Sequence, residues 1–192
     1  GIRNTRTPNI DYLIKNGSST MQARAVLPTS SSTNWASMIM GAGPEQHGIT
    51  SNGWERDDFI LPPVTTGLEN IFPTIFGVLR QQRPNAEIGA IYDWDGFGRL
   101  FEKSAVSYDI TGVDEQETTD LAIKYIKDKK PVFTFIHLDH VDHEGHEFGH
   151  GSKAYYKSVS GADKLIGKIF KAAKKAGLLD NGLFIVTADH GG

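Results

Sequence analysis

No cysteine occurs in the 192 residues, which removes disulfide frameworks, thiolate metal sites and a thiol nucleophile together. Histidine and carboxylate must therefore supply the ligands of any metal site. A basic excess is missing too. Twenty Lys and Arg stand against 23 Asp and Glu, a formal charge of -3, which argues against binding to nucleic-acid polymers or an anionic membrane surface. No apolar run of spanning length and no signal peptide is read in these residues, though a processed or trimmed chain would have lost one. Internal repeats, low-complexity tracts and a splitting linker are also lacking, so residues 1–192 read as a single domain, long enough to bury a core without covalent staples.

What is present is rhythm. Short apolar runs alternate with amphipathic stretches, the pattern of an α/β fold in which a mostly parallel central sheet carries helices on both faces. Gln22–Leu27, Glu87–Tyr92, Pro131–Leu138 and Leu183–Thr187 read as strands from their β-branched and aromatic content. Helices are expected at Thr33–Met40, Leu68–Arg80, Glu115–Lys127 and around Tyr155–Ala173, with Pro73 marking a break or a first turn and Gly177 a C-terminal cap. The lysines at 164, 168, 171, 174 and 175 fit a solvated helix face better than an anion site.

Chemistry concentrates at the ends of these strands, where open α/β sheets bind ligands. Residues 137–150, HLDHVDHEGHEFGH, hold five of the seven histidines together with two aspartates and two glutamates. Asp142 and His146 are four apart, so one helical turn or a tight loop can aim both at one ion. Helix pairing explains that spacing equally well. A second acid–imidazole pair, Asp189-His190, follows the apolar run Leu183–Thr187, and two such pairs after two strands favour a metal site. His137, His140, His143 and His150 are then surplus, suited to supporting or solvent-exposed roles. The hydroxyl run at Thr29–Thr33 has two readings. It caps the following helix, or it places a nucleophile where helix N–H groups favour negative charge.

These pieces resemble the catalytic core of the alkaline phosphatase superfamily, nearest to its nucleotide pyrophosphatase/phosphodiesterase branch. Thr7-Pro8-Asn9-Ile10-Asp11, with Leu13 and Gly17, resembles a structural segment shared by phosphatases and sulfatases of that superfamily. Residues 28–52 resemble the branch's P-T-x-T-x-P-N…HGI…N block, DHEGH at 142–146 its D-x-x-G-H, and ADHGG at 188–192 its S/T-D-H-G. Tyr92–Gly96 resembles its aromatic W-P-G turn.

The resemblance implies two divalent metal ions, zinc foremost, and hydrolysis of a phosphodiester or nucleotide pyrophosphate through a covalent intermediate on Ser31. Ser30 and Ser32 stay open as alternatives for the nucleophile. It also implies Asp142 and His146 as ligands of one ion, Asp189, His190 and Ser31 as ligands of the other, and Asn52 as a substrate-binding amide whose bland reading is a turn residue. The family's diesterases usually carry threonine where this chain has Ser31, which leaves monoester and diester chemistry both open. Relative to the family, an upstream aspartate and a downstream histidine ligand are absent. The chain is thus expected to be incomplete, lacking a first strand and a C-terminal section. The partner expected is a small phosphate ester, and the compartment favoured is periplasmic or extracellular. Rival activities are phosphomonoesterase, phosphosugar mutase and sulfatase; the sulfatase signature C/S-x-P-x-R is missing. The rival of another class is a metal-binding domain without catalysis.

Overall fold

The computed structural model describes residues 1–191. Three parallel strands form its sheet in the order β2-β1-β3: β1 is Ile88–Tyr92, β2 Tyr108–Thr111 and β3 Phe133–His137. β1 is central and buried at every position, which is why its sequence, IGAIY, is continuously apolar rather than alternating.

Side-chain alternation along β1 and β3 divides the core into two layers. Ile88, Ala90 and Tyr92, with Phe133 and Phe135, meet the helices α2 (Ser31–Met40) and α4 (Ile75–Gln82) and the aromatic residues Phe97 and Phe101. Ile91 and Ile136 face the other way, toward α5 (Glu115–Lys129) and α7 (Lys153–Lys175). Helices thus cover both faces, as the sequence rhythm predicts.

The remaining helices hang on this frame. α1 (Pro8–Asn16) lies on α7, a single turn α3 (Pro44–His47) follows α2, and α6 (His140–Phe148) leaves the end of β3 and packs on α7. Helix boundaries follow local chemistry. Thr74 caps α4 by accepting from the N–H groups of Phe76 and Gly77, Asp114 caps α5 through the Glu117 N–H, and Ser152 caps α7 through the Tyr155 N–H. Pro73 does mark a break: a short 3-10 turn at Leu68–Asn70 precedes it and α4 begins two residues after it. Gly177, at φ +77, ends the α7 segment as expected, its N–H donating to the Lys174 carbonyl.

Two of the four expected strands are corrected. Gln22–Leu27 and Leu183–Thr187 run without a ladder, and Leu183 and Ile185 are 83% and 72% exposed. Apolar and β-branched content describes what a strand needs to pack, but a strand also requires a neighbour to receive its N–H and C=O groups. Among the described residues neither segment has one. Conversely β2, only four residues long, carried too little pattern to be read in advance.

Candidate phosphoryl-transfer site

Ser31 opens α2, just after its N-cap Ser30. Its Oγ lies 3.2 Å from Nε2 of His190, a residue 159 positions later. The same Nε2 is 3.4 Å from Asp189 Oδ2 and 3.9 Å from Asp142 Oδ1. The other oxygen of Asp142 is 3.3 Å from Nε2 of His146, one turn further along α6. Asp142 is thus shared between the two imidazoles. The fold brings together all five residues that the sequence nominated as ligands or nucleophile.

Tautomer and charge bear on what this cluster can do. His190 Nδ1 is 3.1 Å from the Gly191 carbonyl, to which it donates, and the ring's other nitrogen, Nε2, is turned toward Ser31, Asp142 and Asp189. An imidazole nitrogen beside a hydroxyl and two carboxylates gathers oxygen and nitrogen donors of the types that suit a divalent transition metal. Burial raises the Asp189 carboxyl above its ordinary value, with His190 opposing that shift. A cation at this point would offset that desolvation. Among the described residues, however, no group of three or more His, Asp or Glu is arranged to hold an ion by itself. The donors fit by type and direction rather than as a finished coordination sphere. Gly192, the last residue of the ADHGG motif, lies outside the described residues.

Asn52 meets the start of α2 one residue after Ser31. Its Oδ1 accepts the N–H of Ser32 at 2.8 Å, which leaves Nδ2 as a donor with no partner among the described residues. The expectation that helix-start N–H groups would themselves meet a developing charge needs correcting for Ser32, whose N–H is already taken by Asn52. The His47-Gly48-Ile49 block packs on the same helix, α2, through Ser37. His47 is buried, its Nδ1 accepts from Ile49 N–H at 3.0 Å, and its Nε2 meets Ser37 Oγ at 2.9 Å. Gly48, at φ +79, leaves no space for a side chain, since a Cβ would lie 2.4 Å from the Leu61 carbonyl.

The four surplus histidines separate by environment. His143 is solvent-exposed and pairs with Glu147 at 3.2 Å, while His150 lies against the rings of His146 and Tyr155. Neither ring nitrogen of His140 has a hydrogen-bond partner. His137 is 4% exposed, stacked on Phe97 and edge-on to Trp35, with Nδ1 3.5 Å from Asp93 Oδ1. Asp93 was not singled out from the sequence. The signal was available, since it immediately follows β1 and strand ends were the place to look.

Comparisons with known proteins give the family of the chain. A family model described as "Type I phosphodiesterase / nucleotide pyrophosphatase" matches residues 2–77 and 78–192. The venom phosphodiesterase of Crotalus durissus collilineatus is 26% identical over 194 residues, covering 96% of this chain and 23% of that protein. Human ectonucleotide pyrophosphatase/phosphodiesterase family member 5 is 25% identical over 196 residues, covering 96% of this chain and 40% of that protein. The chain therefore spans about a quarter to two-fifths of the length of these relatives. Among solved structures, murine ectonucleotide pyrophosphatase/phosphodiesterase 5 superposes with a TM-score of 0.71 at 24% identity, covering 93% of this chain and 50% of that one. An inactive form of the same murine protein was solved in complex with AMP.

Proposed function

Since the chain belongs to the type I phosphodiesterase / nucleotide pyrophosphatase family, we propose that it is the catalytic part of a phosphate-ester hydrolase acting on a phosphodiester or nucleotide pyrophosphate, with Ser31 as nucleophile. The observation that carries this reading is the meeting of Ser31 Oγ with His190 Nε2 at 3.2 Å, beside Asp142 and Asp189. A helix-capping serine alone has no need of an imidazole and two carboxylates. The AMP complex of the murine relative supports a nucleotide-sized substrate. The venom and ectonucleotide names of the relatives favour work outside the cytoplasm.

Asp142 and His146 would hold one divalent ion, and Asp189, His190 and Ser31 the other, with zinc suited to these ligands. Bound there, the ions supply positive charge that lowers the hydroxyl pKa and neutralises the phosphoryl oxygens. Ser31 Oγ attacks phosphorus, the bond to the leaving oxygen breaks, and the phosphoryl group rests on Ser31 until water releases it. Asn52 Nδ2, freed by the Ser32 contact, donates to a phosphoryl oxygen as its charge grows. The N-terminus of α2 adds a favourable field for that charge.

Replacing Ser31 by alanine in the natural full-length enzyme tests the assignment. With zinc present, hydrolysis of bis-nitrophenyl phosphate is expected to fall by roughly three orders of magnitude or more, with the melting temperature unchanged. Undiminished turnover overturns it. Running nitrophenyl phosphate in parallel reports which ester class the serine serves, and a protein that binds zinc but turns over neither ester is a metal-binding domain without catalysis.

A further inference from the structure

We propose that Asp93 is a positioning residue that joins the two halves of this site, setting α6, with Asp142 and His146, against α2, which carries Ser31. This rests on the metal-dependent reading above. Asp93 follows the last residue of β1, and its side chain is only 5% exposed. Its Oδ1 accepts the N–H of Asp139 at 2.8 Å. Asp139 is the N-cap of α6, and its own side chain makes no capping bond. A donor at the start of the ligand-bearing helix is therefore satisfied from another strand, three residues before Asp142.

The same oxygen lies 3.5 Å from Nδ1 of His137, a buried nitrogen with no hydrogen-bond partner of its own. The His137 ring in turn meets the edge of Trp35, on α2, at 5.0 Å, and stacks on Phe97 at 5.7 Å. One carboxylate thus touches both the backbone that begins α6 and the ring that abuts α2. Packing alone does not call for a carboxylate here, because burying one is costly unless its bonds are used. Losing the acceptor frees the first turn of α6, and Asp142 and His146 move with that turn relative to Ser31.

The test compares Asp93→Ala and Asp93→Asn with the natural full-length enzyme, using zinc competition against a chromophoric chelator, thermal melting and amide hydrogen exchange. Asparagine keeps an oxygen for the Asp139 N–H; alanine does not. Asp93→Ala is expected to bind zinc about 10- to 100-fold more weakly, whereas Asp93→Asn stays within about threefold of the natural enzyme. Exchange of the amides at 139–143 should quicken in Asp93→Ala alone. Unchanged zinc affinity in Asp93→Ala, or equal weakening in Asp93→Asn, overturns the proposal. Should Asp93→Ala fail to fold, exchange in the natural enzyme decides: a protected Asp139 amide supports the contact, and one exchanging at the unstructured rate overturns it. A natural enzyme that takes up no zinc would defeat the metal-dependent reading, and the exchange comparison would still decide whether Asp93 holds α6.

Discussion

Burial brings the His47 pKa down from 6.5 to about 4, with Glu45 pulling weakly the other way. The ring is neutral in the folded state, with Nδ1 accepting from Ile49 and Nε2–H donating to Ser37 Oγ. In the unfolded chain the same ring takes a proton near its ordinary pKa. Between about pH 6.5 and 4 the unfolded state therefore binds more protons, and stability falls as the pH is lowered through that window. The loss is on the order of 3 kcal/mol at the acid end. Urea unfolding at a series of pH values should show this slope, and His47→Gln should flatten it; a natural protein with no slope over that range would contradict the neutral, buried assignment. At this scale the sequence was informative about type and less so about environment. His47 stood within a family-like block and Ser31 could be counted from it, but that His190 would face Ser31 across 159 positions depended on strand ends converging. Asp93 was passed over because its segment, Tyr92–Gly96, was read for its aromatic turn and not for the carboxylate at the strand end.

Between elements, the contact of α1 with α7 shows how a motif without catalytic chemistry does structural work. Asp163 of α7 is buried, and its carboxylate accepts the N–H groups of Asn9 and Ile10 at 3.0 and 2.8 Å and the Asn9 side-chain amide at 2.8 Å. A negative charge thereby sits on the N-terminus of α1, where the unpaired helix donors and the dipole favour it. Asp163→Ala leaves those donors buried without an acceptor and should cost about 2–4 kcal/mol in urea unfolding, while Asp163→Asn, which keeps one oxygen, should cost less. Equal costs would mean the carboxylate is not the cap. Gly167 admits the close approach, since a Cβ there would stand 2.3 Å from Asn9 Oδ1. Elements with their own periodicity, such as α5 and α7, were legible in advance. Gln22–Leu27 and Leu183–Thr187 were not, because strand formation is a property of a pair and composition reports on one member only.

Across the molecule, the aromatic layer on one side of the sheet packs against α2 through Trp35. Phe97 is fully buried and stacks on Phe135 at 4.6 Å and on His137 at 5.7 Å, and it meets the edge of Trp35 at 6.2 Å. Phe97→Ala should remove about 3–5 kcal/mol of stability and reduce turnover in the fraction that stays folded. Ser31→Ala should do the reverse, sparing stability and abolishing turnover. If the two variants lost stability alike, the separation between packed core and reactive rim would be wrong. The α/β class was readable from the alternation of apolar runs, and the two layers follow from strand parity. The strand order required the coordinates, since no single segment encodes its neighbour.

Asp142 offers one oxygen to His146 and the other to His190. Both oxygens turn about the same Cβ–Cγ bond, so the two halves of the site share a single torsional degree of freedom. An asparagine at this position cannot serve both sides alike, because an amide presents a single oxygen where a carboxylate presents two equivalent ones. Asp142→Asn would therefore have to choose a side, leaving a site whose two imidazoles no longer see the same neighbour.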